Sequence, residues 1–435
     1  MYLKEYINKL KTGDFFDEKK WLDQNAILET ISEEIPDSGT EEWKNFKTNS
    51  IKETSWKVLL ENSIKKNYIR KEQRKLPNSI FFIDGHYSQE ASSLKKESGI
   101  NISSLSDYIN KNPEFKKNLF NNPSDYAENR LSGIKDKKPT YFISLNSLLS
   151  FGTVIEVEKA KNINETINII HSFSNIEPEI VINPYIIIVC KEGSKVSFQE
   201  ISHDVESWNN TLKEIFIRKD SNITFSSLQE RISTGIKTSS INCHIDENAE
   251  LNLKVLNRER SKEDIRVFLN KENSTANISG IILSNNKDES DVFCKVTHIG
   301  KTSKSDQNWR LISAKNSKTA INGKICVNKN AKGSDASFYS KSLLLNRKAT
   351  SFSKPELEIL EDDVKCKHGA SFGEIDNNSI FYMQSRGIKK KDAIILLIHA
   401  FISEIGLDIE DNSELSKNLI DEFFNQINEN NNLYA

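Results

Sequence analysis

Two residues in the segment DDVKCKHGASFGEID, Asp362 to Asp376, could bind metal: Cys366 and His368. A thiolate with an imidazole suits zinc, iron or an iron–sulfur cluster. Lys365 and Lys367 alternate with the pair, and in a strand residues i and i+2 share one face. Cys366 and His368 would then project together while the lysines line a polar opposite face. Two ligands do not close a tetrahedral site, which takes four. Taken alone, C-x-H reads more plainly as a buried structural pair. Its surroundings favour an exposed half-site, completed by a second chain or a bound cofactor. Gly369 and Gly373 would let another backbone come close. Glu356, Glu358, Glu361, Asp362 and Asp363, just upstream, could add hard ligands or solvate the strand edge.

Other combinations carry less chemistry. Adjacent Cys243 and His244 fall on opposite faces of a strand and read as structural. Cys294 and His298 share a face but stand ~13 Å apart, which suits core filling. Cys190 and Cys326 complete five dispersed cysteines with no CxxC, unlike a secreted disulfide framework. The motifs GxxxxGK[ST], strand-linked GxGxxG, HExxH and GxSxG do not occur, so an intrinsic ATPase or dinucleotide enzyme is not expected. A net charge of −2 over 435 residues argues for neither nucleic acid nor an anionic membrane as partner. The charged first twenty residues have no apolar signal-peptide core. The longest apolar run, AIILLIHAFI (Ala393–Ile402), is about half a bilayer span. A soluble cytoplasmic protein is the expectation.

The elements that must position the pair fall into three regions. Residues 1–140 read as mostly helical, from segments such as WKVLLENSIKKNYIRKEQ, with Pro36, Pro77 and Pro113 as punctuation. Residues 141–375 are short β-rich pieces such as TVIEVE, PYIIIVC, KTAINGKICV and SKSLLL, joined by polar connections. Residues 376–435 read as two amphipathic helices. In the second, Leu415, Leu419, Phe423 and Ile427 line one face, and Asn412 or Ser413 is the candidate N-cap with Glu414 near the dipole's positive end. In the β region, a polar turn followed by small residues and then aliphatics recurs at offsets of about 14 and 18 residues. That loose period leaves a parallel β-helix and a β-sandwich equally open.

The stretch LLLNRKATSFSKPELEILEDDVKCKHGASFGEIDNNSIFYMQSRGI, Leu343 to Ile388, closely resembles the C-terminal signature of the SufB/SufD family of iron–sulfur cluster assembly scaffolds. TAINGKICVNKNA resembles the family's FxGxIxV segment, and NPYIIIVCKEGSKVSFQE the entry into its β core. The KCxHGA form, the following Gly373 and the EEWK element in IPDSGTEEWKNFKT point to the SufD branch. The resemblance implies a right-handed parallel β-helix between helical N- and C-terminal regions, mainly β with flanking α. It implies a non-catalytic scaffold that pairs with a SufB-like chain through the β-helix ends. The ABC-type ATPase SufC would dock on the C-terminal helices, in a SufBCD complex. A nascent iron–sulfur cluster or iron would then be held transiently at the SufB–SufD interface, with His368 as ligand and Cys366 beside it. Two departures stand out: the family's FxG is Ile321-Asn322-Gly323, and a glutamine common in its T-D-A-x-Q segment is Phe338. The family's sulfur path has no evident equivalent among Cys190, Cys243, Cys294 and Cys326, which read as structural. Arg386 in SRGI is expected to order the turn before the first C-terminal helix.

Two alternatives are compatible with the residues. One is a homodimeric β-helix scaffold in which Cys366 and His368 of each copy together bind zinc or iron. The other is a β-helix lyase or esterase using the acidic run Glu356 to Asp363.

Overall fold

The structure is a computed structural model of the protein. It describes residues 2–11, 24–32, 34–59, 77–95, 98–119, 140–173, 179–202, 206–230, 234–403, 418 and 420–424. Its centre is a parallel β-solenoid. The first eight strands are β1 Thr153–Val157, β2 Ile167–Ser172, β3 Tyr185–Cys190, β4 Lys195–Ser202, β5 Trp208–Ile217, β6 Asn222–Gln229, β7 Ile236–Ile245 and β8 Glu250–Asn257. The chain continues with β9 Ser261–Leu269, β10 Thr275–Ser284, β11 Glu289–His298, β12 Lys304–Ser313, β13 Lys318–Val327, β14 Asp335–Leu344, β15 Thr350–Ile359 and β16 Lys365–Glu374. Odd-numbered strands stack in parallel in a first sheet and even-numbered strands in a second. The even balance between β-helix and sandwich is thereby resolved.

Strand alternation builds the core. Register places Ile241, Ile265, Cys294, Gly323 and Pro355 in one inward column of the first sheet. Ile278, Gln307, Phe338 and His368 form a column of the second. The polar connections noted in the sequence are the corners. Asp220, Asn248, Asn273 and Thr302 all have φ between 52° and 56°, a left-handed conformation that Asn and Asp tolerate well. Their side chains form a ladder: Asn248 donates to Asp220 at 3.0 Å, Asn273 to Asn248 at 3.1 Å and Thr302 to Asn273 at 2.6 Å.

The region before residue 140 is not uniformly helical. Helices Leu3–Lys11, Gln24–Ser32, Asn49–Glu53 and Leu105–Lys111 alternate with strands. Ser79–Ile83 extends the second sheet in parallel with β2, because its SIFFI side chains are buried on both faces. Ile100–Ser104 pairs antiparallel with β1. The segment WKVLLENSIKKNYIRKEQ contains the two-residue strand Lys57–Val58, and its residues 60–73 lie outside the described residues. EEWK crosses the outer face of the first sheet: the Glu42 carbonyl accepts from Lys262 at 2.7 Å, and Glu41 reaches Lys354 of β15 at 2.5 Å. Helix α1, Tyr141–Leu149, packs on the same face with Trp43, Leu212 and Phe216. Beyond the solenoid, α2 spans Asn377–Ser385 and α3 spans Lys390–Ser403. Ile394, Ile398 and Ile402 of α3 cover Leu283, Ile312 and Leu343 on the second sheet. No described helix is long and apolar enough to cross a membrane.

The interior is not wholly apolar. Near its N-terminal end, six strands contribute buried ionisable or hydroxyl groups to one network. Lys213 donates to Glu200 at 2.6 Å, Ser227 donates to the same carboxylate at 2.8 Å, and His171 Nε2 meets its other oxygen at 2.9 Å. Glu263 accepts from Ser239 at 2.8 Å and faces Lys213 and Lys237 at 3.8 and 3.9 Å. Two carboxylates balance two lysines, which leaves His171 neutral. Burial drives the His171 pKa below its usual value despite the opposing pull of Glu200. For Glu200, burial alone would raise the pKa, but Lys213 and His171 together hold it well below the carboxylate range.

Removing one partner of such a pair strands the other charge. Lys213→Ala is therefore expected to destabilise the fold by about 3–5 kcal/mol, read from the urea midpoint. Because the folded state depresses the His171 pKa, its contribution is complete above the unfolded value and is lost as pH falls through the folded one. Stability of the wild type should thus decline below pH 6.5, the ordinary histidine value, and His171→Gln should flatten that decline. An unchanged pH profile in the variant would contradict this role for His171.

Candidate functional site

The two sheets end together. Among the described residues, β15 and β16 each pair on one side only, with β13 and β14. Register sets Cys366 beside Ala336 and His368 beside Phe338, both of which face the interior. Cys366 and His368 therefore share the interior-facing side of the last strand, as alternation requires. Cys366 is half-buried against the core, whereas His368 is exposed. Lys365 and Lys367 are exposed on the opposite face.

The carboxylates do not join the pair. Glu356 accepts from Asn322 at 2.8 Å and pairs with Lys354 at 3.0 Å, and Glu358 pairs with Lys324 at 3.1 Å. Both therefore serve the outer face of the first sheet. Asp363 pairs with Lys332 at 3.5 Å on a corner. Among the described residues, no group of three or more His, Cys, Asp and Glu side chains is arranged to hold a metal. Cys366 and His368 therefore stand as a pair, with no third such side chain arranged beside them among the described residues. Gly369 also has a local use: a Cβ there would lie 3.1 Å from the Tyr339 ring, so the glycine seats that ring on the outer face. Nothing lies within 4 Å of the same position on Gly373.

Burial, then Asp335, raises the Cys366 thiol pKa. The thiol is thus protonated at neutral pH, and a metal binding there must displace its proton. Cys190, Cys243 and Cys294 are core residues, whereas Cys326 is buried on the outer face of the first sheet beside Glu358. Burial pushes the Cys190 and Cys243 pKa values up to about 12 and that of Cys294 well above its usual value. His244 lies on the other face from Cys243, stacked between Phe216 and Phe268 at 4.9 and 5.0 Å. His298 meets Ser303 and Ser305, each at 2.8 Å, and burial takes its pKa down to about 4.

Sequence reasoning missed two features of this end. The core columns continue into it uncovered: Leu357, Ile359 and Phe372 face inward by register yet are 37%, 41% and 53% exposed. Beside them lies a row of interior hydroxyls, in which Ser340 meets Ser353 at 2.5 Å and Ser351 donates to Ser342 at 2.9 Å. The alternating serines of SFS and SKS were the available signal. At the C-terminus, Phe423 and Phe424 are buried in the core against α3. Leu415, Leu419, Ile427 and the expected cap at 412–414 lie outside the described residues. Exposed apolar groups sit instead at Phe381 and Tyr382 of α2 and Leu396 of α3. Arg386 closes α2 through its backbone N–H, and its guanidinium donates to the Tyr382 hydroxyl at 3.1 Å.

Residues 173–401 match the family model described as SUF system FeS cluster assembly, SufBD core domain. The chain is 36% identical over 137 residues to the iron-sulfur cluster assembly protein SufD of Escherichia coli K12, covering 32% of each chain. It is 28% identical over 232 residues to the chloroplastic protein ABCI7 of Arabidopsis thaliana, covering 52% of this chain and 49% of that one. A SufBD family protein of Synechocystis aligns over 85% of this chain and 83% of its own at 22% identity. The aligned stretch thus spans about a third of the first relative and about half of the second. With the family model covering more than half of its length and the solenoid carrying the KCxHGA part of the signature on its last strand, the chain belongs to the SufB/SufD family.

Proposed function

We propose that this chain is a SufD-like, non-catalytic scaffold subunit that supports iron–sulfur cluster assembly in a SufBCD-type complex. The observation that carries this reading is the open end of the solenoid. There, two unpaired parallel edges, an uncovered apolar core and a two-ligand half-site coincide. An open parallel edge is a template for strands of another chain, and a SufB-like chain ending in the same way would cover it. The partner would supply the ligands that Cys366 and His368 lack, so the cluster or iron is shared cargo and not a resident cofactor. Exposed Phe381, Tyr382 and Leu396 offer the C-terminal surface on which a SufC-type ATPase would dock. Cytoplasmic placement belongs to the same proposal.

The test is anaerobic co-expression of this chain with its SufB-like and SufC-like partners. Complexes containing wild type or His368→Ala are then compared for iron and acid-labile sulfide. Assembly should proceed in both, and the variant should lose most of its iron and sulfide. Equal content in both complexes would leave this chain with an architectural role only. A second prediction concerns the edge itself. Phe372→Lys places a charge in an exposed apolar position, so it should abolish co-purification with the SufB-like chain and leave the melting temperature of the isolated chain nearly unchanged. Mass measurement of the isolated protein separates this reading from the homodimeric metal scaffold, in which two copies would close the site by themselves.

A further inference from the structure

Phe338 lies immediately beneath His368 in the inward column of the second sheet. His368 is exposed, whereas Phe338 is fully buried one coil below. Its ring does not stay with its own sheet. A Cβ built on Gly323, across the interior in the first sheet, would fall 1.9 Å from Phe338 Cε2, 2.3 Å from Cδ2 and 2.6 Å from Cζ. The ring therefore occupies the notch that the missing side chain leaves between Cys294 and Pro355 in their shared column. Gln307, next below Phe338, is buried, and neither atom of its amide has a hydrogen-bond partner.

We infer that Phe338 is a stopper that closes the solenoid interior directly beneath the Cys366–His368 pair. The site is then a cup one coil deep, loaded only from the open end. Its functional meaning rests on reading Cys366 and His368 as ligands. With the stopper in place, the buried Gln307 amide and Cys294 thiol cannot reach a guest at the mouth. Water is also kept from the underside of His368. The aromatic ring acts by exclusion: it touches no reacting group and restricts what may enter from below. A polar side chain at position 338 would instead extend the cup downward.

Native thiol labelling of the full chain with N-ethylmaleimide, mapped by mass spectrometry, tests the stopper. In the wild type Cys366 should react while Cys190, Cys243, Cys294 and Cys326 stay protected. Phe338→Ala should raise the labelling rate of Cys294 by about tenfold or more. Tyr339→Ala, which removes the neighbouring ring from the outer face, should leave Cys294 protected and so controls for general loosening. Cys294 reacting as fast as Cys366 in the wild type, or staying protected in a folded Phe338→Ala, overturns the inference. If Phe338→Ala does not fold, Phe338→Leu decides in its place: its side chain is too short to fill the notch, so protection of Cys294 in that variant overturns the stopper. The ligand reading fails separately, through unchanged iron and sulfide in His368→Ala, which does not alter labelling of Cys294.

Discussion

A parallel solenoid satisfies its backbone groups only between successive coils, so each sheet must begin and end with a row of unpaired donors and acceptors. The protein treats its two ends differently. At the N-terminal end, Ile100–Ser104 covers the first sheet in antiparallel pairing, while Ser79–Ile83 and His86–Ser93 extend the second. At the other end, among the described residues, β15 and β16 have no further strand. That asymmetry leaves one exposed mouth, and the Cys366–His368 pair stands on its rim.

The interior beneath the mouth is graded. The network around Glu200, Lys213, Lys237 and Glu263 lies deep and saturates its charges internally. Nothing in it is exposed, so its effect is on register: a slipped coil would bury an unmatched charge. Between that network and the mouth, the columns are mostly aliphatic, with Trp309 laid over Gly280 and Phe338 over Gly323. These aromatic–glycine pairs make packing specific where repeated Ile and Val would permit sliding. Hydroxyls of Ser340, Ser342, Ser351 and Ser353 form a polar side wall next to β16.

Much of the fold was legible in the residues, because alternation in strands such as KTAINGKICV and DASFYSKSLL directly encodes which side faces the core. The shared face of Cys366 and His368 followed from the same rule. The use of Gly369 did not, since a glycine does not reveal which neighbouring ring it seats. The acidic run was also ambiguous: Glu356 and Glu358 sit on the face opposite the interior, and their partners Asn322 and Lys324 are more than thirty residues away in the chain. The strand Ser79–Ile83 was obscured because SIFFI is short and apolar after its first residue, a pattern that a buried helix segment shares.

By itself, then, the sequence determined the local periodicity, the polar corners, the C-x-H pair and a family signature from Leu343 to Ile388. Tertiary structure decided that the pair stands on the final strand of the second sheet, that Glu356 and Glu358 face away from it, and that Phe338 fills the notch at Gly323. The reason is physical. Side-chain direction along a strand is set by neighbouring residues. Which strand is last, and what lies across the interior, is set by stacking between segments far apart in the chain.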